Sequence, residues 1–334
     1  MEHKVLITVS PIYCQAVNFL TAHLQEAGFS VRYLNQPDEQ LSAAELSDLL
    51  RDVEVYVVGN ARIPRQAIQS SPRLALVAKY GVGVDNIDLA AATDHGVLVT
   101  NAPGENAISV AEMTMAALLN LSRKLREIER SLQQGRWRAV FGHEIYQRTL
   151  GIIGLGNIGK QVAIRARAFG MRILAYDLLD YPEFCREHQV EMAPLERLLA
   201  EADAVTLHVP LTPKTRHMIG APQLSRMRPG ALLIHTARGG VVDEQALYVA
   251  LTEGRLGGAA IDVFECEPLG ESPLRRLDNV ILTPHVAGIS YEAAERVAVR
   301  TLENVLAYRD GRIPPCVLNP EAARLRKKLD SADR

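Results

Sequence analysis

Residues 149–177, TLGIIGLGNIGKQVAIRARAFGMRILAYD, run from a short apolar segment into a glycine turn, through an amphipathic stretch, and out along a second apolar segment that ends in an acid. Leu150, Ile152 and Ile153 give the first segment the character of a buried strand. Val162, Ile164, Ala166 and Phe169 give the middle stretch an apolar helical face, and Arg172–Tyr176 reads as the next strand. The order is strand, turn, helix, strand. Gly154, Gly156 and Gly159 have G-x-G-x-x-G spacing: the first permits a tight turn, the second lets the backbone approach a pyrophosphate, and the third lets helix pack closely on strand. Amides at the start of the helix then face the phosphates. Asp177 follows the glycines by about 20 residues, where a carboxylate accepts hydrogen bonds from ribose hydroxyls and repels a 2′-phosphate. Leu178 and Leu179 come next, so no arginine adjoins Asp177 to receive that phosphate, and NAD is expected rather than NADP.

The alternation extends in both directions. Upstream, β-branched runs at 5–10, 31–35, 53–60, 74–80 and 97–101 are separated by helical stretches near 15–27, 42–50 and 64–70, which predicts a small flavodoxin-like unit with a parallel sheet. Downstream, strands near 203–209, 231–237, 258–264 and 279–283 alternate with helices near 194–200, 221–227 and 243–253. They complete a six-stranded, doubly wound Rossmann domain over residues 102–288. A long apolar helix at 107–121 reads as the connection between domains and part of a subunit interface, so a homodimer is expected. A polar helix near 125–138 and an irregular arm to Arg148 follow, with Trp137 read as a packing anchor. After a last helix at 291–308, the charged end ARLRKKLDSADR reads as disordered.

A chain of 334 residues exceeds one simple core, so two domains are expected. A net charge of −2 provides no general attraction to nucleic acid or an anionic membrane, and neither is expected as a partner. MEHKVLITVS is too short an apolar run for a signal peptide, and no stretch has the length of a membrane span, which points to the cytoplasm. Cys14, Cys185, Cys266 and Cys316 are scattered without metal-ligand spacing; they read as reduced thiols, Cys266 as a small residue where space is limited, and no metal is expected.

Three polar residues follow strands of the second domain and converge on the edge that carries the glycine turn: Arg238, Glu267 and His285. Reducing a 2-oxo acid takes a cation that holds the carboxylate and polarises the carbonyl, together with a proton donor at the carbonyl oxygen. Arg238 suits the first role, its guanidinium being permanently charged and able to bind with two donors. His285 suits the second because imidazole titrates near neutrality, and Glu267 would orient the imidazolium and keep its proton available.

GLGNIGK, HTARGGVVDE, AAIDVFECEP and LTPHVAG, with KYGVGVDNID and ENAISVAE upstream, occur in an order that resembles the D-isomer-specific 2-hydroxyacid dehydrogenases, especially the phosphoglycerate dehydrogenase and hydroxypyruvate reductase branches. The resemblance spans most of residues 1–318. It implies a discontinuous substrate domain, 1–101 plus 289–334, hinged to a Rossmann domain at 102–288, with the active site in the cleft. It carries the arginine, glutamate and histidine roles onto Arg238, Glu267 and His285, and places a substrate carboxylate on the amides of Val82 and Gly83. Cofactor contacts carry over to Val110, Asn157, Ile158, Asp177, Val209, Pro210, Thr215, Thr236, Ala237, Asp262 and Gly288, with Asp262 at the carboxamide.

Two features bear on the substrate. The phosphoglycerate branch commonly adds a regulatory domain, which this chain is expected to lack. It also places phosphate-contacting arginines where this chain reads GNARIPR, leaving Arg62, and Lys79 nearby, as candidates for a second anion. The expectation is an NAD-dependent oxidoreductase of D-2-hydroxy acids, with 3-phosphoglycerate and phosphohydroxypyruvate as one substrate pair. The alternatives are a hydroxypyruvate or glyoxylate reductase, a sulfolactate-type dehydrogenase and, in another class, an NAD-sensing corepressor-like binding protein.

Overall fold

The structure, a computed structural model, describes residues 3–35 and 41–325. The chain divides into two compact units, Met1–Asn106 with Ser290–Arg334, and Ala107–Ile289. In the first unit, β1 (His3–Thr8), β2 (Phe29–Tyr33), β3 (Val55–Val58), β4 (Leu76–Lys79) and β5 (Leu98–Thr100) form a parallel sheet in the order β2-β1-β3-β4-β5. Successive side chains of a strand point to opposite faces, so each strand feeds two cores. Val5, Ile7, Val55 and Val57 pack under the helices Cys14–Glu26 and Tyr291–Arg309. Leu6, Tyr56 and Val58 pack under Ala43–Leu50, Arg65–Gln69 and Leu89–Asp94. Near the chain's end, Ala322 is fully buried in the first of these cores and Ala323, the first residue of the charged end, packs half-buried against it, while Arg324 and Leu325 are exposed. The rest of the charged end, expected to be disordered, lies beyond Leu325 and outside the described residues.

The second unit holds β6 (Thr149–Ile153), β7 (Arg172–Tyr176), β8 (Val190–Met192), β9 (Ala204–Leu207), β10 (Ala231–His235), β11 (Leu256–Ile261) and β12 (Val280–Leu282). They make a parallel sheet in the order β12-β11-β10-β9-β6-β7-β8, the doubly wound arrangement of nucleotide-binding folds. Seven strands replace the six expected. The addition, β8, is a three-residue edge strand in which Val190 alone is buried, and one β-branched residue beside His188, Gln189 and Glu191 gives no strand signal. One sheet face packs against Leu195–Glu201, Ala221–Arg226 and Glu244–Thr252, the other against Ala107–Arg123 and Asn157–Ala168.

Strand order reverses between β6 and β9, and loops at the carboxyl ends there open a crevice for ligands. The loop after β6 is the glycine turn. The helix Ala107–Arg123 is buried along one stripe, Ala107, Val110, Ala111, Thr114, Met115 and Leu118, while Ile108 on its far side is exposed. Trp137, expected to anchor the arm by packing, is 94% exposed within its own chain. Cys266 is exposed as well, so lack of space does not explain it.

Candidate active site

The three glycines of the turn meet three different surroundings. Gly154 has φ +95°, in the left-handed region, and a Cβ there would fall 2.6 Å from the His208 carbonyl oxygen across the strand reversal. A Cβ on Gly159 would fall 2.0 Å from the Gly154 carbonyl oxygen, so the helix rests directly on the turn. Around Gly156 a Cβ would meet nothing within 4 Å, which leaves the backbone open to a ligand. The amides of Asn157, Ile158 and Gly159 have no acceptor among the described residues; Lys160 begins the helical ladder by donating to Gly156. Asp177 accepts from the Leu155 amide at 2.6 Å and the Leu179 amide at 2.9 Å, which occupies two of about four acceptor sites of a carboxylate and leaves the rest for ribose hydroxyls. Free helix-start amides, an open cradle and a half-used acid fit a dinucleotide.

Most of the other expected cofactor positions cluster at the carboxyl edge of the same sheet. Val209 and Pro210 follow β9, and Thr215 closes the next turn by donating to the Pro210 carbonyl at 2.6 Å. Thr236 and Ala237 follow β10 and are buried; Thr236 lies 3.4 Å from Thr114, one turn along the helix from buried Val110. Asp262, expected at the carboxamide, is buried with both oxygens engaged. It accepts from the Thr283 hydroxyl at 2.6 Å and from the amides of Val286 and Ala287, each at 2.9 Å. Its carboxylate therefore shapes the turn that carries His285, and Gly288 follows that turn.

His285 adopts φ +54° and donates through Nδ1 to Glu267 Oε2 at 2.8 Å, leaving Nε2 for a reacting group. The other Glu267 oxygen accepts from the Phe264 amide at 2.9 Å. Burial pushes the Glu267 carboxyl up, but the His285 hydrogen bond, the Phe264 amide and the charges of His285 and Arg238 outweigh it and hold the group below its ordinary range. Arg238 is half-buried and donates to the Ala237 carbonyl at 2.7 Å. The three side chains read from sequence thus lie on loops leaving β10, β11 and β12, with the acid held ready for the imidazole.

Two histidines stand at neighbouring strand ends: His235, which closes β10, is buried, and His208, which follows β9, is half-buried. His235 is 2% exposed and neither ring nitrogen makes a hydrogen bond; burial pushes it down to about 4, against the pull of the Arg238 carbonyl and the Glu267 charge. His208 shares Nε2 with the Thr206 hydroxyl at 3.0 Å, and burial, with His235 alongside, pushes it down to about 3. Both rings are neutral in the folded protein at neutral pH. Unfolding returns them to about 6.5, so below that pH the unfolded chain binds more protons and stability falls as pH drops from about 6.5 toward 4. Melting temperature measured across this range should show the fall, and His235→Asn should flatten it. An unchanged slope in that variant would mean that His235 does not contribute.

In the first unit, the loop after β4 presents the amides of Val82 and Gly83, neither of which donates to an acceptor among the described residues. Asn101 fixes this loop by donating to the Val82 carbonyl at 2.7 Å. The loop is also joined to 59–65 through the Ile63–Ile87 bridge and through Asn86, which donates to the carbonyls of Ala61 at 2.6 Å and Gly59 at 3.3 Å. Lys79, expected as a cation for a second anion, is 7% exposed. Its ammonium donates to the Gly59 carbonyl and to Asn86 Oδ1. It joins the two loops instead of lying open to solvent. Arg62 is exposed and has no ion-pair partner among the described residues. Those residues contain no group of three or more acids, histidines or cysteines arranged to hold a metal, and no helix long and apolar enough to cross a membrane.

A profile of the D-isomer specific 2-hydroxyacid dehydrogenase NAD-binding domain matches residues 115–287, just over half of the chain. Glyoxylate reductase of Korarchaeum cryptofilum is 46% identical over 271 residues, covering 79% of this chain and 82% of that protein. D-3-phosphoglycerate dehydrogenase of Methanocaldococcus jannaschii is 43% identical over 283 residues, 84% of this chain but only 54% of that longer protein. Among solved structures, D-lactate dehydrogenase of Aquifex aeolicus, complexed with NAD and lactic acid, superposes with a TM-score of 0.84 at 32% identity, covering 94% of this chain and 99% of that one. The chain belongs to the D-isomer specific 2-hydroxyacid dehydrogenase family. Its activity is accordingly NAD-dependent oxidation and reduction between 2-hydroxy and 2-oxo acids.

Proposed function

We propose that this enzyme reduces small 2-oxo acids, glyoxylate and hydroxypyruvate, with NADH. The observation that carries the choice is Lys79: its ammonium is buried between two loops and donates to their oxygens, which favours a structural use of this cation over reading a phosphate. The glyoxylate reductase relatives, matched over most of their own length, support the same choice. Exposed Arg62 favours phosphohydroxypyruvate as a second reading. Initial rates of NADH oxidation with the three oxo acids distinguish them.

In this reading the amides of Val82 and Gly83 hold the substrate carboxylate, Arg238 grips the oxo-acid oxygens and polarises the carbonyl, and Nε2 of His285 delivers a proton to the carbonyl oxygen. Glu267 keeps the imidazole in the tautomer and orientation that make Nε2 the exchanging nitrogen. The glycine turn and the amides of residues 157–159 hold the pyrophosphate, and Asp177 the adenosine ribose. When bound, the nicotinamide supplies the two electrons and the hydrogen that reduce the carbonyl carbon. In the reverse direction His285 is the base. The four free cysteines suit a reducing cytoplasm.

The assembly in this reading is a homodimer. Leu125, Leu132, Trp137, Phe141 and Tyr146 follow one another along residues 125–146 and are all exposed, Phe141 at 96%. Covering a side chain such as Phe141 is worth about 1.5–3 kcal/mol before the entropy of association is subtracted. Sedimentation should show a dimer for the natural protein and a monomer for Trp137→Asp/Phe141→Asp. A dimer that survives both changes would place the interface elsewhere.

A further inference from the structure

The segment that carries Glu267 is fastened at the Phe264–Glu265 peptide. The Phe264 amide donates to Glu267 itself, while the Glu265 amide donates to Glu244 at 2.6 Å, a short, charge-assisted hydrogen bond. Glu265 answers by accepting from the Glu244 amide at 3.4 Å and from His217 Nε2 at 3.1 Å. On its other side the Phe264 carbonyl lies against Gly239, the neighbour of Arg238, so closely that a Cβ there would fall 1.7 Å from the oxygen. Glu244 opens the helix Glu244–Thr252, whose cap is Asp243, accepting from the Ala246 amide at 2.9 Å. The arginine loop, the glutamate loop and a helix start are therefore joined at one peptide unit.

We propose that Glu244 is a positioning residue for the reaction: by holding the Glu265 amide, its carboxylate fixes the place from which Glu267 orients His285. This rests on the roles given above to Glu267 and His285. An acid in the first turn of a helix is favourable for the helix alone, yet this one is spent on another loop. Burial raises its carboxyl, and the nearby charges of Glu265 and Glu267 raise it further against the help of the Glu265 amide. That environment suits a strand-end clasp better than a solvated helix acid. A displacement of Glu267 on the order of 1 Å is enough to cost about a hundredfold in rate.

The test is a double-mutant cycle with NADH and glyoxylate, combining Glu244→Ala, Glu244→Gln and Glu267→Gln, read by kcat, KM, NADH affinity, melting temperature and hydrogen exchange at the Glu265 amide. Glu244→Ala should lower kcat by roughly tenfold to a hundredfold, leave NADH affinity unchanged and speed exchange at Glu265. Glu244→Gln, which keeps an acceptor oxygen, should restore most of the rate and the protection. In the Glu267→Gln background, Glu244→Ala should add little, because both act through one carboxylate. If the alanine variant melts below the assay temperature, Glu244→Asp, one methylene short, takes its place with the same expectations. A lowered melting temperature with unchanged kcat, or effects that multiply independently in the double variant, would overturn the proposal. Full activity in Glu267→Gln alone would overturn the reading of Glu267 itself, an outcome that no Glu244 variant produces.

Discussion

Replacing His285 by glutamine should lower kcat for oxo-acid reduction at neutral pH by roughly a hundredfold to ten-thousandfold, while NADH affinity stays within about a few-fold. Glutamine can still donate to Glu267, and it fills much of the same space, but it has no proton to deliver at neutral pH. The histidine backbone lies at φ +54°, where asparagine is better tolerated than most residues. His285→Asn should therefore be as inactive as His285→Gln without adding strain, which separates lost chemistry from a distorted turn. Retained kcat in both variants would remove His285 from the reaction. Lost NADH binding would make it a cofactor or structural residue.

The second large effect concerns the glycine turn and divides between two neighbours. Gly159→Ala forces a methyl to within 2.0 Å of the Gly154 carbonyl oxygen, a backbone atom that cannot rotate away. The helix Asn157–Ala168 must shift, and overpacking of this kind costs about 1–3 kcal/mol. Both melting temperature and NADH affinity should fall. Gly156→Ala meets no protein atom within 4 Å, at an ordinary φ of −72°. The fold should be indifferent, yet the methyl occupies the space left for a pyrophosphate, so NADH affinity should drop by about tenfold or more while melting temperature holds; tenfold corresponds to about 1.4 kcal/mol. Calorimetric titration and thermal melts on the two variants check this. Unchanged NADH affinity in Gly156→Ala would mean that the phosphates do not lie over this turn.

Sequence pattern revealed much of this architecture, for identifiable reasons. The parallel strands are apolar runs of three to six residues with apolar neighbours on both faces, and at Gly154 and Gly159 the glycine is dictated by contacts that leave no room for a Cβ. What escaped were elements without period: the three-residue β8, and the short helices Leu89–Asp94 and Pro182–Glu187. Arg238, Glu267 and His285 could be named because strand ends converge in an open parallel sheet. The work of Lys79, Asp262 and Glu244 could not, because it depends on which loop carbonyl or amide each reaches across the sheet edge. Glu244 did carry a local signal, an Asp-Glu pair opening a helix, but that signal speaks of capping and not of the Glu265 amide. Trp137 reads as an anchor from its size and lies exposed because its own chain offers it nothing to pack on.

The most direct test of the account is the comparison of kcat/KM for NADH-dependent reduction of glyoxylate, hydroxypyruvate and phosphohydroxypyruvate by the purified protein. With Lys79 committed to the loops and one carboxylate to be read, glyoxylate and hydroxypyruvate should be turned over efficiently, and phosphohydroxypyruvate should gain no advantage from its phosphate. A preference of tenfold or more for phosphohydroxypyruvate, about 1.4 kcal/mol in transition-state binding, would contradict the account and assign a second anion site to Arg62.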